Sequence, residues 1–137
     1  VGEHDFSNFC SKDEDKGTVR DVKRIDVRVS GMLTKIDVEA NSFLWNMVRK
    51  MVTALTMVGS RVRDESWLKQ MLDPESYEEG LEPAQSYGLT LMEVKYPMEI
   101  PWIEDTYSLR RASEKVQEYL VRHRVMAEVM QELVPKE

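Results

Sequence analysis

Residues 24–40 read Arg24-Ile25-Asp26-Val27-Arg28-Val29-Ser30-Gly31-Met32-Leu33-Thr34-Lys35-Ile36-Asp37-Val38-Glu39-Ala40. Ile25, Val27 and Val29 alternate with Arg24, Asp26 and Arg28. Ile36, Val38 and Ala40 alternate with Lys35, Asp37 and Glu39. A period of two puts apolar side chains on one face of a strand and charged ones on the other. Ser30-Gly31 is a turn signal between the two runs, so they read as a β-hairpin covered on one face only. The cover follows in the chain. Asn41 and Ser42 are good N-cap residue types. Leu44, Met47, Val48, Met51, Val52, Leu55 and Val58 then recur at helical spacing as far as Gly59. Asn46, Arg49, Lys50, Thr53 and Thr56 are expected on the opposite side. This helix is predicted to lie on the apolar face of the sheet.

Upstream, Phe6 and Phe9 sit three apart, so one short helical turn places both on one side. Ser11 to Gly17 is polar and reads as a solvated loop. Downstream, Asp64 is the expected N-cap of a shorter helix carrying Trp67, Leu68, Met71 and Leu72, ended by Asp73-Pro74. Residues 75–87 are acidic and turn-rich and read as an irregular connection. Alternation from Gly88 to Tyr96 predicts a third strand, stopped by Pro97 and Pro101. The predicted order is β-β-α-α-β, an α+β fold with an antiparallel sheet and helices packed on one face. Residues 1–97 form this domain.

Residues 98–137 read as a helical C-terminal extension. Leu109, Ala112, Val116, Tyr119, His123, Met126, Met130 and Leu133 recur at spacings of three and four. That is a heptad-like seam on one helix roughly 40 Å long. Such a helix packs either on its own sheet or on a partner chain, and periodicity leaves both open.

The chain has 137 residues, about one domain's worth. With 42% hydrophobic and 32% charged residues it has a globular composition, neither disordered nor membrane-embedded. The net charge of −6 excludes a protein that is basic overall and coats a polyphosphate. It leaves a local basic patch open. The chain opens Val1-Gly2 without an initiating Met and is read as a piece of a longer protein. No apolar run is long enough to span a bilayer, so an intracellular, cytoplasmic protein is expected.

Signals for catalysis are sparse. One cysteine, Cys10, builds neither a disulfide nor a zinc site by itself. There is no glycine-rich phosphate loop and no serine–histidine–aspartate pattern. His4 beside Asp5 reads as a capping pair, and His123 as a seam residue. Arg49 stands out because a rigid helix would present its planar donor fork to a carboxylate or phosphate. The same residue also reads as an ordinary solvated arginine. Leu89 has the wrong parity for the core of the third strand and would face its charged side, which suggests edge packing against a loop or against the missing part of the protein.

Three blocks then acquire a common meaning. His4-Asp5-Phe6-Ser7-Asn8-Phe9, Phe43-Leu44-Trp45-Asn46-Met47-Val48-Arg49-Lys50-Met51-Val52 and Gly88-Leu89-Thr90-Leu91-Met92-Glu93-Val94-Lys95-Tyr96-Pro97 resemble, in order and separation, three blocks of the TruA family of tRNA pseudouridine synthases. The strand Ile36-Asp37-Val38-Glu39-Ala40 also fits. These blocks belong to the C-terminal half of that family. Its catalytic aspartate, in an Arg-Thr-Asp block, and its base-stacking tyrosine lie in the N-terminal half. Neither block occurs in this chain.

The resemblance implies an enzyme that isomerises uridine to pseudouridine in the anticodon stem-loop of tRNA, with no metal or organic cofactor. It implies that this chain is inactive without its N-terminal half. Arg49 matches the arginine that pairs with the catalytic aspartate, and Leu89 matches an aliphatic residue of the uracil pocket. Lys50 and Asn46 are carried as substrate-binding candidates beside them, and Arg24 and Arg28 as further phosphate contacts. The implied partners are tRNA and the missing N-terminal domain, and a homodimer is compatible. The sequence departs from the family pattern at Thr53 and Ser60, where glycines are usual, and in a longer run after Pro83-Ala84. Against the enzyme stands a different class, a non-catalytic RNA-binding or dimerisation module built around the long helix.

Overall fold

The computed structural model describes residues 1–11, 17–75 and 77–135. The polar loop expected around residues 12–16 lies outside the described residues. The chain divides into two compact units, Val1–Leu91 and Met92–Glu137.

In the first unit the hairpin forms as its alternation requires. Strand β2 spans Val19–Ser30 and β3 spans Leu33–Ala40. Their antiparallel register sets Ile25 opposite Val38 and Val27 opposite Ile36. Gly31 takes the first of the two turn positions with φ of +60°, where a two-residue hairpin loop favours glycine. A register shift between Val22 and Arg24 marks a β-bulge at Lys23. One extra residue reverses parity, so Val22, opposite Ala40, shares the covered face with Ile25 and Val38.

The third strand is not where alternation put it. Strand β1 is Gly2–Asp5, and it pairs antiparallel with β2, His4 opposite Arg20. The sheet order is β1-β2-β3. Residues 88–97 adopt no strand, and Leu89, Leu91, Met92, Val94 and Tyr96 are exposed. Alternating side chains make a segment fit a sheet, but a strand exists only where a neighbour accepts its backbone N–H and C=O groups. Among the described residues, 88–97 form no such ladder. The observed order is therefore β-β-β-α-α-α, still α+β.

A single 3-10 turn, Ser7–Phe9, follows β1. It buries Phe6 against Phe9, ring edge to face with centroids 5.8 Å apart. Helix α1 runs Met47–Gly59, four residues later than the caps at 41–42 suggested. Asn41 is occupied elsewhere, since its Oδ1 accepts from the amides of Asp21 and Ser42 and ties the end of β3 to β2. The buried side of α1 is also rotated from the predicted stripe. Met47, Lys50, Met51 and Ala54 are buried, while Val48, Val52 and Leu55 are half-buried. Helix α2, Glu65–Gln70, begins as expected at Asp64, whose carboxylate accepts from the Trp67 amide at 2.8 Å. Phe6, Phe9, Val22, Leu44, Met47, Met51, Ala54, Trp67, Met71 and Leu81 form one core.

Residues 77–87 have no regular structure, as expected, but they are well anchored. Buried Asn8 donates to the carbonyls of Met71 and Tyr77, at 3.1 and 2.9 Å, and accepts from the Glu79 amide at 3.1 Å. The Glu79 carboxylate accepts from Tyr77 Oη, from Trp67 Nε1 at 2.7 Å and from Arg63 at 2.9 Å. Arg63 also lies 5.3 Å over the Trp67 ring.

The second unit contains helix α3, Thr106–Leu133, capped by Asp105 on the Ser108 amide. The helix matches the predicted extent, and none of its residues is buried.

The hydrogen bond from Tyr77, followed by that from Trp67, holds the Glu79 carboxyl below the ordinary carboxylate range. A group whose folded pKa is depressed stabilises above its unfolded pKa, about 4.3 for glutamate. That stability disappears as pH falls through the folded value. The melting temperature is expected to drop more steeply between pH 7 and pH 3 in the wild type than in Glu79→Gln, which starts lower and runs flatter. Parallel curves would mean that Glu79 does not couple to folding.

Candidate functional site

The cap and first two turns of α1 bind two separate segments of chain, Cys10–Ser11 and the run from Glu82 to Ala84. Asn46 precedes the helix with φ of +64°, a left-handed conformation that asparagine tolerates better than most residues. Its carbonyl accepts from the Lys50 amide at 3.0 Å, closing the first turn. Its side chain is turned outward from the usual capping role and makes no cap bond. Instead Nδ2 donates to Ser11 Oγ at 3.1 Å, and Oδ1 accepts from Arg49 Nη1 at 2.7 Å.

Arg49 is half-buried and held from two directions. Besides the Asn46 bond, its Nε donates to the Ala84 carbonyl at 2.6 Å. The Ala84 amide returns a bond to the Arg49 carbonyl at 3.3 Å. One turn on, the Thr53 hydroxyl donates to the Glu82 carbonyl at 2.8 Å. Hydrogen bonds from a charged donor are stronger than neutral ones, and two of them fix the plane of a guanidinium. Among the described residues no hydrogen bond uses Nη2.

Lys50 is not on an open edge. It is 7% exposed, and its Nζ donates to the Cys10 carbonyl at 2.6 Å. Its ammonium is directed at the Cys10 backbone rather than at solvent. The Ser11 amide next to it donates to the Trp45 carbonyl at 3.2 Å. Arg24 and Arg28, the other basic candidates, are exposed but paired with carboxylates, Arg24 with Asp26 at 2.6 Å and Arg28 with Asp37. Leu89 is half-exposed, in a turn where its amide donates to the Ser86 carbonyl at 3.0 Å. The structure therefore brings Arg49 and Asn46 together and places Lys50 behind them. It joins Leu89 to them by no hydrogen bond.

Ser11, Thr53 and Ala84 were not singled out as site residues by sequence. Thr53 had a signal, as a departure from a usual glycine. Its hydroxyl secures the run around Pro83-Ala84, itself a departure, so the two irregularities are one contact. At the other end of α1, Ser60 Oγ donates to the Thr56 carbonyl at 2.8 Å, and Arg61 takes the left-handed position with φ of +61°.

Among the described residues no group of three His, Cys, Asp or Glu side chains is placed to hold a metal ion. No helix among them is long and apolar enough to cross a membrane.

The first unit is thus a small α+β domain that holds the Arg49 guanidinium in one orientation. Known proteins give that class a name. A family model described as tRNA pseudouridine synthase matches residues 1–97. A protein of Methanococcoides burtonii named tRNA pseudouridine synthase A is 66% identical over 137 residues, all of this chain and 50% of its own length. A protein of the same name from Methanosarcina acetivorans is 61% identical over 137 residues, covering 51% of its length. One from Archaeoglobus fulgidus is 36% identical over 124 residues, 90% of this chain and 46% of its own. The chain belongs to the tRNA pseudouridine synthase family. It spans about half the length of the curated relatives it matches.

Proposed function

We propose that this chain is the C-terminal half of an enzyme that isomerises uridine to pseudouridine in the anticodon stem-loop of tRNA, in the cytoplasm, and that it is inactive alone. The observation that carries the reading is the fixed guanidinium of Arg49, held by Asn46 and Ala84. The catalytic aspartate is supplied by the N-terminal half, as the family resemblance implies. Arg49 pairs with that carboxylate. A cation at this distance favours its ionised form, and a fixed donor plane orients it for the target nucleotide. The N-glycosidic bond then breaks, the freed uracil turns within the pocket, and it rejoins the ribose through carbon. Atoms are conserved throughout, and no cofactor takes part. Leu89 lines the uracil pocket, and Asn46 acts by holding the arginine. The chain's acidic balance puts most of the phosphate contacts on the N-terminal half.

In the full-length enzyme, Arg49→Ala is expected to lower pseudouridine formation roughly 100-fold or more, the scale of losing one oriented charge in a polar site. Folding should persist by circular dichroism. Arg49→Lys should recover little, because an ammonium cannot reproduce the fork. Wild-type rates in Arg49→Ala would remove the residue from the site.

One observation favours a further reading for α3, self-association or contact with a protein partner. None of its 28 residues is buried, and Leu109, Val116, Tyr119, Met126, Met130 and Leu133 are exposed along one seam. Light scattering of the chain is expected to show a dimer that Val116→Glu with Met126→Glu converts to a monomer. A monomer at every concentration, before substitution, would leave the seam to a different partner.

A further inference from the structure

Lys50 lies one residue beyond Arg49 yet faces the other way. Its side chain is buried to 7% exposure and reaches the backbone of Cys10, forty positions earlier in the chain. Taking an ammonium out of water is costly, and an apolar side chain of the same length would fill that space without the cost. The benefit must therefore lie in what the ammonium holds. It holds the carbonyl of Cys10, the residue before Ser11. Ser11 is fixed again by its amide on the Trp45 carbonyl, and its hydroxyl accepts from the Asn46 amide nitrogen.

The orientation of Asn46 depends on this support. A side-chain amide presents oxygen on one side and nitrogen on the other. Arginine only donates, so the oxygen must face Arg49, and the nitrogen then needs an acceptor. Ser11 Oγ supplies it at 3.1 Å. Three hydrogen bonds and the Cys10–Ser11 peptide bond thus lead from Lys50 through Cys10, Ser11 and Asn46 to the Arg49 guanidinium.

We propose that Lys50 and Ser11 are positioning residues for Arg49. Lys50 clamps the Cys10–Ser11 segment, Ser11 sets the Asn46 amide, and Asn46 sets the guanidinium plane. The inference rests on the reading of Arg49 as the site arginine for its catalytic consequence, but its structural content stands apart from that reading.

The test has two arms. In the isotope-labelled 137-residue chain, the Arg49 Nη1–H resonances, which report the bond to Asn46, should be protected from solvent exchange. Ser11→Ala and Lys50→Met should each lose that protection by about tenfold or more, and Lys50→Arg should restore part of it. In the full-length enzyme, Ser11→Ala and Lys50→Met should lower kcat roughly tenfold to a hundredfold, the cost of a small misplacement, with KM for tRNA little changed. An Arg49 resonance unaltered in Ser11→Ala overturns the proposal, even if Lys50→Met proves too unstable to study. A lowered melting temperature with an unaltered resonance overturns it equally, since that is what a merely structural lysine would give. If the resonance responds while Arg49→Ala keeps wild-type activity, the clamp stands and the assignment of Arg49 to catalysis fails.

Discussion

The bond from Arg49 Nε to the Ala84 carbonyl, answered by the Ala84 amide on the Arg49 carbonyl, joins α1 to an otherwise irregular segment. It helps fix the run after α2 against α1. With it, the guanidinium has lost most of its rotamer freedom before any partner arrives. That entropy is spent in folding rather than in binding, which is how a preset side chain raises the effectiveness of a site. The Thr53 hydroxyl on Glu82 extends the same seam by one turn.

The rest of the first unit serves to hold α1 in place. Its buried side, Met47, Met51 and Ala54, meets Phe6 and Phe9 from the N-terminal turn and Trp67 and Met71 from α2. Asn8 connects that N-terminal turn to the segment beyond α2 through three hydrogen bonds, so the aromatic pair and the acidic loop move as one. Glu79 gathers Tyr77, Trp67 and Arg63 on the far side of the same loop. The arginine is thus set on a scaffold in which every supporting segment is itself tied to another.

Local periodicity made much of this visible in advance. The hairpin, α1, the Asp64 cap and the extent of α3 all rest on side-chain spacing within one element. Pairing between distant segments was not visible. Gly2–Asp5 carries no alternation of apolar residues, and it is a strand because β2 accepts it. Residues 88–97 have the alternation and form no strand. The bulge at Lys23 left no compositional mark, although it decides which residues of β2 face the helices. At the site, Arg49 was legible as a cation on a rigid helix, and the family blocks gave it a role. Lys50 looked like its twin and is its opposite, because a long side chain can follow either side of a helix and its destination is set by a carbonyl forty residues away.

The central claim is that this chain contributes an oriented arginine to a site whose catalytic aspartate lies in the N-terminal half. The most direct measurement is the pseudouridine content of tRNA after incubation with the 137-residue chain, with the separately produced N-terminal half, and with the two joined as one polypeptide. The account requires pseudouridine from the joined protein and none from the 137-residue chain alone. Pseudouridine formed by the 137-residue chain alone, or none formed by the joined protein, would contradict it.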